Sequence, residues 1–321
     1  MLSRKSQVRR RKPKIIFLVG PTAVGKSQSA VYLAKKINAE IISCDSMQIY
    51  KGMDIITSKP SIILRKTIPH HFISMVSPIK GYNVAQYRRG ALKKIQEILE
   101  KGKTPLFVGG TGLYMSVLID GIFQAKSENK NIRRRLYKEL DNLGKEYLYK
   151  RLQKLDPEAA AKIHPHDSRR IIRALEVQEA TGKPISVLQK ERNGIADNYD
   201  VRIFCLDTSR QRLYKRIDQR VEEMFKKGLL GEVKKLLKMK LSKTAQAAIG
   251  IKELKGYLSG LYDLGEAKSL MKRNTRLYAK RQLTWFRKDK RIEWIEIKGK
   301  EKPVSIVNKI LALYSVHGTR Y

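Results

Sequence analysis

Eight consecutive residues, Gly20, Pro21, Thr22, Ala23, Val24, Gly25, Lys26 and Ser27, satisfy the pattern of a phosphate-binding P-loop. An apolar run precedes them and a helical stretch, residues 27–36, follows, which is the context such a loop needs. The loop turns successive backbone N–H groups toward an anion at a helix N-terminus. Lys26 adds a point charge for the terminal phosphates, and the Ser27 hydroxyl is placed to ligate Mg²⁺. This chemistry specifies a diphosphate or triphosphate, not what is transferred. A second strand-like run ends in Ser43-Cys44-Asp45-Ser46-Met47-Gln48 and puts Asp45 at the carboxyl end of a parallel strand, where open α/β sheets bind ligands. Asp45 there reads either as a Mg²⁺ ligand or as a general base. A third junction, Val108-Gly109-Gly110-Thr111-Gly112, brings the Thr111 hydroxyl to the same edge, and its glycines admit close approach by a ligand. A small-molecule kinase, an NTPase and a transferase with a phosphate leaving group all remain open on spacing alone.

The elements that must position these groups follow from the hydropathy pattern. Short runs rich in β-branched residues at 14–19, 39–43, 105–108, 201–207 and 291–297 alternate with longer helical patterns. Several runs are almost wholly apolar, as for strands covered on both faces, so the class expected is α/β: a P-loop NTPase-like, doubly wound parallel sheet. Residues 125–197 differ, with helical spacing, an excess of Lys and Arg, and no strand-like run. They read as a helical subdomain inserted into the core. The expected organisation is a basic tail at 1–13, core at 14–124, the insertion at 125–197 and the rest of the core at 198–321. Within the insertion, Asp167 or Ser168 caps a helix that Thr181-Gly182 and Pro184 end. Arg169 and Arg173, four apart, share one of its faces, and Ile172 and Leu175 turn to a core.

Composition narrows the partners. The 321 residues hold 68 Lys plus Arg against 30 Asp plus Glu, a net +38, with 42% hydrophobic residues. The apolar fraction supports a folded core. The charge predicts a polyanionic partner, because a small molecule alone requires no such excess. Residues 271–290 concentrate it: eight positive charges and one negative are interleaved with Tyr278, Trp285 and Phe286, a mixture suited either to RNA or to a helix with a buried aromatic side. The two cysteines, Cys44 and Cys205, lie in apolar runs and allow neither a disulfide framework nor a cysteine-rich zinc site, so a reducing, cytoplasmic setting is expected. The apolar run 15–19 is too short for a secretion signal, and none approaches the ~18 residues of a membrane span. His70, His71, His164 and His166 have no accompanying thiolate or carboxylate cluster and read as structural or solvated.

Taken in series, GPTAVGKS, ISCDSMQIYKGMDIITSKPS, IPHHFISMV, FVGGTGLY, HPHDSRRIIRALEV, RVEEMFKKGLLGEV, AIGIKEL and YAKRQLTWFR resemble the tRNA dimethylallyltransferase family, in order and over residues 15–290. The resemblance implies transfer of a dimethylallyl group from dimethylallyl diphosphate to the exocyclic amine of the adenosine 3′ of the anticodon. Gly20 to Ser27 then hold diphosphate rather than ATP, with Mg²⁺ at Ser27. Asp45 becomes the base, and Lys26, Thr22 and Arg220 complete the catalytic set, Arg220 as a second cation on the diphosphate. Asp45, Ser46, Met47 and Gln48, with Thr111, Arg133, Arg169, Arg170, Ile171, Ile172 and Arg173, match the family's tRNA-contacting positions. The partners implied are a tRNA anticodon stem-loop and dimethylallyl diphosphate, with no membrane, and a monomer suffices. The rivals are a prenyltransferase for free adenine nucleotides, a P-loop small-molecule kinase, and an RNA-binding protein without turnover. The chain departs from the family pattern at Ile56, usually Gly, at Ala247, usually Arg or Gln, and at Ile251, usually Tyr. Loss of a long polar group and a ring removes possible RNA contacts, which bears on affinity and tRNA choice rather than on the reaction.

Overall fold

The computed structural model describes residues 12–123 and 130–316, so most of the basic tail lies outside the described residues. Six strands form one parallel sheet: β1 (Lys14–Val19), β2 (Ala39–Cys44), β3 (His70–His71), β4 (Thr104–Gly109), β5 (Asp200–Asp207) and β6 (Ile292–Glu296). Their spatial order is β3-β2-β4-β1-β5-β6, a doubly wound arrangement with β1 central. Every residue of β2, and all but the first of β1, is buried, as expected for strands covered by helices on both faces. The two-residue β3 escapes the hydropathy pattern because its residues are both histidine and both only half-buried.

One core layer joins Ile16, Leu18, Ile41 and Leu106 of the sheet to Val31 and Leu33 of the P-loop helix (Lys26–Lys36) and to Ile306 and Ile310 of the C-terminal helix (Pro303–Val316). Parallel pairing aligns the strand ends. Val19 and Cys44 both register with Gly109, so the loops after β1, β2 and β4 emerge side by side.

Contacts divide the chain into two units, one formed by residues up to Ile119 and from Ala196, the other by Asp120–Ile195. The second is helical, with helices at Lys130–Leu155, Pro157–Lys162, Ser168–Thr181 and Ile185–Lys190. Its own core gathers Leu136, Leu148, Leu152, Ile171, Ile172 and Leu175. Asp167 caps the third helix by accepting from the Arg170 N–H, and Gly182 ends it in the left-handed conformation at φ 71°. No helix among the described residues is long and apolar enough to cross a membrane.

Candidate active site

The loop after β1 is shaped by two left-handed residues, Ala23 at φ 66° and Gly25 at φ 105°, which turn its N–H groups into a concave nest at the start of the P-loop helix. Gly25 supplies no capping side chain, so the first turn of that helix offers its N–H groups outward. Lys26 Nζ donates to the carbonyls of Gly20 (2.9 Å) and Pro21 (2.7 Å) and holds its charge over the loop. Arg216 Nη1 donates to the Val24 carbonyl at 3.1 Å from the helix Arg210–Lys226. Arg220 lies one turn further along that helix and lines the same cleft.

Asp45 follows β2 and is half-buried. Its Oδ1 accepts from the N–H groups of Met47 (2.9 Å) and Gln48 (3.3 Å), which folds the following residues into a turn; no hydrogen bond to Oδ2 occurs among the described residues. The third loop is docked on this turn. Thr111 donates its N–H to the Cys44 carbonyl (3.1 Å), and its Oγ1 accepts from Ser46 N–H at 3.1 Å. Gly109 permits the approach, since a Cβ there would fall 2.0 Å from the Cys44 carbonyl oxygen. Gln48 turns back into the fold, accepting from Ser43 Oγ (3.1 Å) and donating to the Thr57 carbonyl (3.4 Å).

Electrostatics tie the three loops together. Burial, reinforced by the neighbouring Arg220 guanidinium, lowers the Lys26 pKa to about 8, with Asp45 opposing the shift. Burial also lowers that of Arg220, again opposed by Asp45 and by Glu223. A cleft of about 510 Å³ runs over the P-loop past Arg216 and Arg220. A second cavity of about 250 Å³, with Ile56, Val221, Met224, Ala247 and Met271 in its wall, lies beside it. Thr22, Asp45, Arg220 and Tyr278 line both, so the two spaces meet at the catalytic candidates.

Several expected residues sit elsewhere. In the helical unit, Arg169 and Arg170 are exposed. Arg133 and Arg173 converge on one buried carboxylate, Glu176, through Arg133 Nη2 at 2.6 Å and Arg173 Nη1 at 3.0 Å. Ile171 and Ile172, expected among the RNA contacts, are buried in the core of that unit, so their side chains seat the arginines on either side and present no surface. Phe286, grouped with RNA-stacking rings, is likewise fully buried, whereas Trp285 is 37% exposed. Ile251 is also core, which corrects its reading as a lost RNA contact; Ile56 packs against Gly250 and, like Ala247, lines the second cavity.

Arg216 and Gln282 also line the cleft and are not among the expected site residues, while Tyr278, expected as an RNA-stacking or buried ring, lines both cavities. The four-residue spacing of Arg216 to Arg220, and of Tyr278 to Gln282, was the available signal for a shared helix face. His70 Nδ1–H donates to the Ile68 carbonyl (2.7 Å), and His71 meets Glu40 at 2.8 Å.

A P-loop opposed by a carboxylate and a second cation, at the carboxyl edge of a parallel sheet, defines a phosphate-handling transferase of the α/β class. The family model described as IPP transferase matches residues 48–289, and one described as isopentenyl transferase matches 13–66. A protein of Carboxydothermus hydrogenoformans named tRNA dimethylallyltransferase is 48% identical over 300 residues, 93% of this chain and 96% of that one. Another of that name, from Halothermothrix orenii, is 47% identical over 286 residues, 88% and 87% of the two chains. Among solved structures, the full-length tRNA isopentenylpyrophosphate transferase of Bacillus halodurans aligns with a TM-score of 0.68 at 39% identity, covering 94% of this chain and 96% of that one. A eukaryotic dimethylallyltransferase crystallised acting on tRNA aligns at 0.77 and 33% identity, covering 88% and 74%. This chain belongs to the IPP transferase family, that of the tRNA dimethylallyltransferases.

Proposed function

We infer that the chain transfers a dimethylallyl group from dimethylallyl diphosphate to the exocyclic amine of an adenosine in the anticodon loop of tRNA, the one 3′ of the anticodon. The observation that carries this reading is that Thr22, Asp45 and Arg220 line both cavities, with Lys26 beside them in the P-loop cleft. The diphosphate lies in the P-loop with its N–H groups and Lys26 on the phosphate oxygens and Arg220 as the second cation. As the amine nitrogen bonds to the allylic carbon, the carbon–oxygen bond breaks and its electron pair leaves with the diphosphate. Preorganised cations stabilise that departing charge, which is the main catalytic task of the loop. The amine proton passes to Asp45, whose Oδ1 is engaged by its own turn and whose Oδ2 is the acceptor. An adenine inside a folded loop reaches this point only when extruded, through the second cavity.

The donor set suits Mg²⁺. Ser27 offers one hydroxyl, and no group of three His, Cys, Asp or Glu gathers among the described residues, which matches an ion held mostly by phosphate oxygens and water. Bound there, Mg²⁺ would neutralise diphosphate charge. The exposed arginines of the helical unit and the basic helix Leu264–Phe286 serve the stem-loop.

Labelled dimethylallyl diphosphate offered with bulk tRNA, with AMP or without acceptor, with ATP hydrolysis followed in parallel, tests the reading. Label in tRNA alone is expected; label in AMP but not tRNA, or ATP hydrolysis without transfer, refutes it. Asp45→Asn should lower kcat by roughly 10²- to 10⁴-fold with stem-loop affinity nearly unchanged. Equal loss of both would make Asp45 a binding residue.

A further inference from the structure

The helix Leu264–Phe286 is strongly basic, yet one polar side chain on it is buried: Gln282, 6% exposed between the exposed Arg281 and the core. Both ends of its amide are used. Oε1 accepts from the Thr22 N–H at 2.9 Å, and Nε2 donates to the Gly110 carbonyl at 2.9 Å. The P-loop and the loop after β4 are therefore joined by one side chain from a third element. The fit excludes any side chain at 110: a Cβ there would lie 2.1 Å from Gln282 Nε2 and 3.3 Å from the Gly20 carbonyl oxygen. A turn earlier on the same helix face, the Tyr278 hydroxyl lies against the Thr111 side chain.

We propose that Gln282 is a positioning residue that sets the register between the donor loop at Thr22 and the acceptor loop at Gly110–Thr111. It deepens the transfer reaction proposed above and rests on it. Only a carboxamide fits the task, because the site asks for an acceptor toward Thr22 and a donor toward Gly110 from one planar group. As two neutral hydrogen bonds it contributes modestly to folding. Its larger effect lies in geometry. Thr22 and Asp45 line the junction of the cavities, and Asp45 is fixed to the acceptor loop through Ser46 and Thr111. A drift of the P-loop relative to that loop changes the approach of amine to allylic carbon, and a misplacement near 1 Å costs on the order of 100-fold in rate.

The test uses two variants of the full chain. Gln282→Met keeps the volume and removes both hydrogen bonds; Gln282→Glu keeps the acceptor for Thr22 and turns the donor toward Gly110 into an acceptor. Both should lower kcat for dimethylallyl transfer to tRNA by about 10- to 100-fold, with KM for each substrate within about threefold. The thermal midpoint of Gln282→Met should stay within several degrees of the parent, and Gln282→Glu, which sets a carboxylate against the Gly110 carbonyl, is assayed at a temperature where circular dichroism shows it folded. A kcat within twofold of the parent in both variants overturns the proposal. So does an activity loss that merely matches a loss of folded protein by circular dichroism, since that makes Gln282 a structural residue. The parent is assayed first: if it transfers no label to tRNA, the reaction itself is refuted and the proposal falls with it, whereas an active parent with unaffected variants refutes the positioning role alone.

Discussion

Lys26 makes the affinity for the donor depend on pH in a calculable way. Its pKa of about 8 without ligand reflects burial and the adjacent Arg220, both of which penalise the ammonium. A bound diphosphate restores the charged form, so binding takes up a proton wherever Lys26 begins neutral. The sign follows: the ligand-free state holds the proton less tightly, and affinity falls as pH rises past 8. From pH 8 to 9.5 the protonated fraction drops from about one half to about 3%, so the dissociation constant for dimethylallyl diphosphate should rise about fifteenfold. The nearby thiols and the Tyr278 phenol do not compete. Burial pushes the Cys44 and Cys205 thiols up to about 12, and Tyr278 is raised as well. The esterified diphosphate is already fully ionised by pH 8. Calorimetric titration without tRNA, in two buffers of different ionisation enthalpy, reads both the affinity and the proton uptake. Lys26→Arg should bind with a nearly flat profile, because a guanidinium stays charged throughout. A constant affinity in the parent, or the same decline in the arginine variant, would refute the assignment of Lys26 to the diphosphate.

Arg169→Ala and Arg173→Ala should each weaken stem-loop binding and lower the magnitude of the log affinity versus log salt slope by about 0.7 per lost phosphate contact, measured by fluorescence anisotropy; an unchanged slope removes that residue from the interface. Glu40, buried against His71 and Lys103, has its carboxyl held near 2: burial raises it, but the hydrogen bonds from Lys103 and His71 outweigh that. Glu40→Gln should cost about 1–3 kcal/mol in urea unfolding above pH 4.5. That gap should close as pH falls through 2, since the lowered carboxyl stabilises the fold only while ionised. Ile251→Tyr, which restores the residue usual in the family, should destabilise by about 1–3 kcal/mol through overpacking, without a gain in stem-loop affinity.

What could be read from sequence divides along physical lines. Four strands of the sheet are largely buried apolar runs, and β6, IEWIE, is visible by its alternation; β3 is two half-buried histidines and carries neither signal. The P-loop, Asp45 and Thr111 are legible because each closes a strand, and parallel register then brings them to one edge. Arg216 and Gln282 are not legible in that way. Their roles depend on which face of a long charged helix packs inward, and in a sequence as basic as YAKRQLTWFR the amide looks like one more solvated residue. The isoleucines at 171 and 172 show the opposite case: helical spacing turns Ile172 to a core, as found, whereas the family resemblance carried the whole segment over as RNA contacts, and a helix buries part of every turn.

The +38 charge has a structural counterpart in how the acids are used. Glu158 pairs with Lys162 and Lys190, Glu176 with Arg133 and Arg173, Glu179 with Arg135 and Arg151, and Glu222 with Lys268 and Lys272. Glu40 meets Lys101, Lys103 and His71. Each of these carboxylates is shared by two or more cations; the clusters on Glu40, Glu158 and Glu222 keep a positive remainder, whereas Arg135 and Arg151 also pair with Glu139, so their cluster balances. The excess is therefore distributed through the ion-pair network and is not confined to a tail that could be removed. Such clusters repel one another at low salt and are relieved by a polyanion lying across them, which releases counterions from the RNA at the same time. Removing Arg133 or Arg173 would take a cation from the buried Glu176 carboxylate, so folding of the helical unit and its attraction for phosphate draw on the same residues.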